Sequence, residues 1–372
     1  MKHLIVSIFV LFTVSACAQA PTLILPAPKS LSELPAKSNV PSSFFTGSIM
    51  TPIQNKLPII EVASWYDKDT VLFLQEENEQ FSLHKHNLFL GESSVFLEED
   101  GWIIDVRANA DYSLFAVQYL SLEEQSQLLI LNDQGGIIWT IKDYGEEYTI
   151  YWNPYDTQTF VMVAYLPNWE FETYVGNVEE KKITDIGLEE SYIQWVSESK
   201  VGYLKWEELE PNFQAPLYEL DIENGETNRW KDTVIAFMAF PDGLSLSVTV
   251  DSIYDLYSVY RFYDEQKPYR KIEMPILNTY SEQWWIPYYS YDHNNGIFYY
   301  LRPKYSSDYF SYEDGYELIA YNVRADSEEK LISLEKHVPL SISPGGSILL
   351  IGERYEFGYD IQEGALVPMW EE

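Results

Sequence analysis

Apolar residues from Ile59 onward come in short runs of four to eight, often alternating with polar ones and rich in Val, Ile, Tyr, Phe and Trp. Gly, Asn, Asp and Pro separate the runs. Period-two patterning with β-branched and aromatic residues predicts strands, and the separators predict turns. The runs repeat: IIEVASWYDKDTVLFL, IIDVRANADYSLFAV, YTIYWNPYDTQTFVMVAY, YIQWVSESKVGYLKW, VIAFMAFPDGLSLSV, IPYYSYDHNNGIFYYL and VPLSISPGGSILLIG. Each reads as a strand, a polar turn and a second strand. A third strand follows in every unit (FSLHKH, LLILND, TYVGNV, LYELDI, VYRFYD, ELIAYN, EFGYDI). Several units then take a Gly turn toward a tryptophan, as in DQGGIIW and ENGETNRW.

The units begin at residues 59, 103, 148, 192, 234, 286 and 338, a spacing of 42 to 52. That period belongs to four-stranded propeller blades, and the lack of helical patterning between strands argues against a parallel α/β sheet. The expectation is an all-β chain folded as a β-propeller of four-stranded blades, with seven repeats and one closed ring over residues 51–372. Two stacked β-sandwiches are the competing architecture, since they also give short strands with frequent turns.

The first fifty residues follow another pattern. A short basic start (Lys2) leads into apolar residues from Leu4 to Val14, too few for a permanent membrane span, and then the small pair Ser15 and Ala16 before Cys17. Residues 1–16 therefore read as a secretory signal. Beyond Cys17 the stretch is rich in Pro, Ser, Ala and Lys, with prolines at 21, 26, 28, 35 and 41. Such a composition favours extended backbone, so residues 17–50 read as a tether. The segment FFTGSIM at its end has the character of one more strand.

Cys17 is the chain's single cysteine, which rules out a disulfide framework and thiolate metal sites. Val14, Ser15, Ala16 and Cys17 resemble the lipobox of bacterial lipoproteins. That resemblance implies that Cys17 is alkylated with diacylglycerol and becomes the first residue of the mature protein, since stable anchoring takes more than one acyl chain. An ordinary secreted protein with a chance cysteine is the plainer reading.

Turns such as FPDGLSLSV and SPGGSILLI are similar to the hairpins of TolB-like propellers. With the lipobox, the tether and the length, the chain resembles the YqgU-like propeller lipoproteins of bacilli. The resemblance implies six blades, the alternative to the seven counted here, and location at the cell membrane, lipid-anchored on its extracytoplasmic face.

Charge narrows the partners. Asp and Glu number 58 against 24 Lys and Arg, a formal charge of −34 spread along the chain, so nucleic acid and anionic lipid surfaces are poor partners. Spread acidic residues are first of all a solvated surface.

Candidate chemistry is sparse. His84 and His86 lie two apart, on one face of a strand, and could begin a metal site, but no cysteine or third ligand is near in sequence. YDHNNG, with Asp292, Asn294 and Gly296, resembles a calcium loop and also the Asp-box of sialidases, but it sits where the other units have a hairpin turn and lacks the later bidentate carboxylate. The elbow G-x-S-x-G does not occur. No catalytic residue, metal site or cofactor is expected.

Aromatic residues make up 16% of the chain and concentrate between Trp284 and Tyr316. Strand packing accounts for Phe298, Tyr299 and Tyr300. Tyr305, Tyr309, Phe310 and Tyr312 fall in a connection longer than those of the other units, and with Trp284 and Trp285 they are the expected ligand- or partner-binding aromatics. The functional expectation is a binding or assembly module of the cell envelope, contacting a protein or cell-wall glycan. The alternative is an envelope enzyme acting on glycan or peptide through carboxylates at the mouth of the central channel.

Overall fold

A computed structural model describes residues 50–54, 57–77, 80–206, 213–252, 254–278 and 286–370. Val14 to Cys17, the expected tether up to residue 49, and Trp284 and Trp285 lie outside the described residues.

Seven four-stranded antiparallel sheets follow one another along the chain, each a meander in chain order; in the sixth, the short strand Ser307–Asp308 falls between the second and third strands and pairs outside the sheet. They span residues 59–98, 101–142, 147–185, 193–234, 236–275, 289–334 and 340–368, and are called blades 1 to 7. The count of seven from the repeats stands, and every third strand named above is a strand. The only helical pieces among the described residues are two 3₁₀ turns, Pro167–Trp169 and Tyr309–Ser311.

Second strands are the most apolar. Thr70–Glu77, Leu114–Ser121 and Thr159–Tyr165 are buried along nearly their whole length, because both faces meet a neighbouring blade. Fourth strands, such as Thr227–Val234, are largely exposed. Most of the hydrophobic core consists of clusters between adjacent blades, such as Phe115 and Leu72 with Val117 between blades 1 and 2. A side chain such as Phe73, Phe160 or Phe262, fully buried, contributes roughly 1.5–3 kcal/mol.

The hairpin turns are held by short polar side chains. Asn109, Asn153, Asp292 and Ser343 stand at equivalent positions, are buried, and accept hydrogen bonds from backbone N–H groups of their own turns. In YDHNNG, Asp292 Oδ1 accepts from the N–H of Asn294 and Asn295 (3.0 and 3.1 Å), Oδ2 accepts from Asn295 Nδ2, and Gly296 takes the left-handed φ of +67°. Asp292 is a turn former here, not part of a calcium loop.

Ring closure repeats an inter-blade bond. Trp152 Nε1 donates to the carbonyl of Arg107 in the preceding inner strand (2.9 Å), and Trp195 Nε1 donates to that of Tyr151 (2.8 Å). Trp65 of blade 1 makes the same bond to Ser341 of blade 7 (3.3 Å). Each blade keeps its own four strands, so packing joins the ends: Met50, Ile53, Trp65, Val71, Phe73, Ile348, Leu350 and Met369 form one cluster. Residues 50–53 reinforce it, with Ile53 N–H bonded to Met369 O (2.7 Å) and Thr51 N–H to Leu88 O (2.6 Å). Met50, assigned to the tether by composition, is thus a core residue.

His86 belongs to this seam. It is buried, with Nδ1 2.9 Å from Ser93 Oγ and Nε2 2.9 Å from the Thr51 carbonyl. His84 packs on Phe73 and bonds to Ser82. Both imidazoles serve packing and hydrogen bonding, and no group of three His, Cys, Asp or Glu among the described residues is placed to hold a metal.

Candidate functional site

In a four-stranded meander the first-to-second and third-to-fourth connections turn at one end of the blade, and the second-to-third and blade-to-blade connections at the other. The first end carries tight hairpins. The second carries the longer connections, whose described residues are 205–206 and 213–214 in blade 4, 250–252 and 254–256 in blade 5, 304–315 in blade 6, and 276–278 and 286–288 between blades 5 and 6.

Three of these long segments are tied side by side. Ile276 N–H bonds to Leu256 O (2.9 Å), Ser307 N–H bonds to Ile276 O (3.2 Å), Ser306 Oγ bonds to Leu256 O, and Leu277–Asn278 pairs in parallel with Ser307–Asp308. The result is a continuous lip over blades 5 and 6. Tyr254 (85% exposed), Leu256, Tyr257, Tyr305 and Phe310 (68%) project from it.

The expected aromatics divide accordingly. Tyr305 and Phe310 are exposed, and Phe310 rides on a 3₁₀ turn that Asp308 caps by accepting from the N–H of Phe310 and Ser311 (both 3.1 Å). Tyr312 is instead buried: its hydroxyl donates to Gly315 O (2.7 Å) and accepts from Lys304 N–H (2.8 Å), closing the loop from inside. Its ring cannot meet a ligand, a correction to its assignment as a binding aromatic. Tyr309 is half-buried against Phe310 and His337.

His337 links the lip to the centre of the ring. It stacks on Tyr288 (centroids 4.4 Å apart), and its Nε2 accepts the Tyr288 N–H (2.9 Å), so the proton of the neutral ring sits on Nδ1. Burial lowers its pKa to about 4.

At the centre, inner-strand residues alternate between blade core and channel. Val62, Val106, Ile150 and Ile193 are buried in the blades. By strand register, Glu61, Asp105 and Thr149 occupy one level of the channel in blades 1 to 3, and Arg107, Tyr151 and Gln194 the next level in blades 2 to 4. Arg107 is surrounded by protein yet 61% of its side chain is exposed, as expected for a group lining a wetted channel. Its Nε donates to Asp105 Oδ2 at 2.7 Å.

Glu61 carries a raised pKa, from burial first and then the charge of Asp105, with Arg354 opposing. Tyr151, whose hydroxyl donates to Ser191 O (2.9 Å), is pushed up to about 12 by burial. Tyr355, at a left-handed φ of 54°, stands within the fields of Arg107 and Glu61. None of these channel residues was singled out from the sequence. The signal was available: once the repeats are aligned, the residue before Trp65, Ala108, Trp152 and Trp195 reads Ser, Arg, Tyr, Gln, a polar series at a channel-facing position.

Recesses on the same end of the ring flank blade 3. One of about 600 Å³ is lined by Glu146, Glu147, Tyr165, Leu166, Phe171 and Ser191, and a neighbour of about 450 Å³ shares Leu166 and Phe171 with it. Their carboxylates lie along an open trough, without an arginine among the lining residues.

Comparison with known proteins places this architecture. A family model described as a YqgU-like 6-bladed beta propeller domain matches residues 87–352, well over half of the chain. The chain belongs to the YqgU-like β-propeller family. The matched residues contain blades 2 to 6 whole, the last strand of blade 1 and the first two strands of blade 7; the family description counts six blades, and this chain has seven.

Within the YqgU-like set, the lipoprotein YqgU of Bacillus subtilis (strain 168) is 26% identical over 295 residues, 78% of this chain and 79% of that one. The crystal structure of protein lmo1340 from Listeria monocytogenes EGD-e has a TM-score of 0.78 at 17% identity, covering 87% of this chain and 98% of its own. An oligogalacturonate lyase from Vibrio parahaemolyticus shares the fold more distantly, with a TM-score of 0.55 at 14% identity over 80% of this chain and 88% of its own.

Proposed function

We propose that this YqgU-like protein is a lipid-anchored, extracytoplasmic binding or assembly module of the cell envelope. Cys17 carries the anchor, residues 18–49 supply reach, and the lip over blades 5 and 6 engages a partner. The kinship with a lipoprotein and the lipobox support the anchor.

The observation that carries the binding role is the lip itself. Tyr254, Leu256, Tyr257, Tyr305 and Phe310 are exposed on segments hydrogen-bonded into one surface, where solvation alone would favour polar side chains. Leu256 and Phe310 have no polar edge to offer a sugar, and Asp251, Asp255, Glu313 and Asp314 lie in the same loops. This combination fits a protein partner with an apolar centre and a basic rim.

Photo-crosslinking in cells tests it. A photoreactive amino acid at position 310 or 254 is expected to give discrete protein adducts, and the same residue at position 90 or 137, on the hairpin end, none. Adducts from both ends alike, or from neither, contradict the proposal.

An enzymatic reading keeps one favourable observation, the placement of Glu61 and Asp105 at the same level of adjacent blades. Loss of a glycan- or peptide-cleaving activity in Glu61→Gln, with binding through the lip unchanged, would support it.

A further inference from the structure

Arg107 is anchored at one edge only. Its Nε is bonded to Asp105 (2.7 Å), and its own carbonyl is held by Trp152 Nε1 (2.9 Å), so the side chain starts from a fixed strand and a fixed partner. Among the described residues no hydrogen bond engages its Nη1 and Nη2, although Tyr151 and Tyr355 lie close. A guanidinium with that edge open to a wetted channel presents two parallel N–H donors, the geometry that grips a carboxylate.

The surroundings restrict what can carry that carboxylate. Glu61 stands one level away on the neighbouring blade, within the fields of Asp105 and Arg354. Two residues along a strand span about 6.6 Å, which sets the scale between the two levels. Counted together, Glu61, Asp105, Arg107 and Arg354 with its ion-pair partner Glu356 (3.6 Å) sum to −1, inside a protein of formal charge −34. A net anion is repelled by the whole molecule, and a net cation has no use for Arg107. A neutral molecule with separated charges satisfies both ends.

We propose that the central channel binds a small zwitterion, an amino acid or short peptide, with its carboxylate on the Nη edge of Arg107 and its ammonium on Glu61. Tyr151 and Tyr355 flank the anchor. Burial and Asp105 raise the pKa of Glu61, so an ammonium partner would restore the charged form.

Calorimetric titration of the full chain in detergent tests this with four probes: alanine, alanyl-alanine, acetate and ethylamine. Alanine or alanyl-alanine is expected to bind at least tenfold more tightly than acetate or ethylamine. Arg107→Met and Glu61→Gln should each weaken that binding at least tenfold, while Arg107→Lys retains part of it. Circular dichroism is expected to show all three variants folded. If Arg107→Met is misfolded, Arg107→Lys and Glu61→Gln carry the test. Acetate binding as tightly as the zwitterions, no zwitterion binding at 50 mM, or full binding in folded variants would overturn the proposal.

Discussion

Tyr312 and Phe310 stand two residues apart and do opposite things. The Tyr312 hydroxyl satisfies two backbone groups, the buried Gly315 carbonyl and the partly buried Lys304 N–H. Tyr312→Phe leaves both without a partner and should cost about 1–3 kcal/mol, read from urea unfolding. Phe310→Ser removes an exposed ring that also packs edge-on against Tyr309, and it should cost less than Tyr312→Phe; loss of partner binding at a nearly unchanged urea midpoint then reports contact and not folding. His337 supplies a pH effect. It is neutral in the fold, with a pKa near 4, and the unfolded chain takes up the proton near 6.5. The stability it contributes is full above pH 6.5, falls as pH drops toward 4, and changes no further below that. The slope is at most about 1.4 kcal/mol per pH unit. His337→Phe keeps a stacking ring without the titration, so its urea midpoint should fall less between pH 6.5 and 4 than that of the natural chain. Equal slopes would show that His337 is not buried neutral.

Among the elements, inner strands do most to define the ring. A tryptophan at the end of the first strand reaches the preceding blade's carbonyl in blades 1, 3 and 4, and at blade 1 this bond closes the circle onto blade 7. Trp65→Phe keeps most of the apolar contact and removes that bond, so unfolding should ease by about 0.5–1.5 kcal/mol, with protection of amides in blades 1 and 7 reduced before that of blade 4. The blades were legible in the sequence because each strand repeats a period of two and each hairpin turn needs its Asn, Asp, Ser or Gly at a fixed place. Loop aromatics were legible only as composition. Tyr305, Tyr309, Phe310 and Tyr312 look alike in a string of letters, and which of them turns inward depends on where Lys304 and Gly315 bring their backbone groups. Arg107 was harder still, since a single arginine in an apolar strand gains meaning only when the strands of seven blades face one axis.

For the whole molecule, the division is between place and platform. Cys17→Ser should prevent lipid attachment and leave the chain unprocessed or released, as followed by lipid labelling and fractionation. Surviving label would show that the anchor is elsewhere. The formal charge of −34 repels like-charged surfaces, so partner binding through the lip should weaken as salt screens a basic rim.

The most direct measurement uses the Cys17→Ser chain, free of lipid, and its retention on isolated envelopes. The account predicts binding that Tyr254→Ser with Phe310→Ser reduces at least tenfold, that Leu90→Ser with Ile137→Ser on the hairpin end leaves intact, and that protease treatment of the envelopes abolishes while muramidase treatment does not. Binding equal in the two double variants, or lost to muramidase alone, would contradict it.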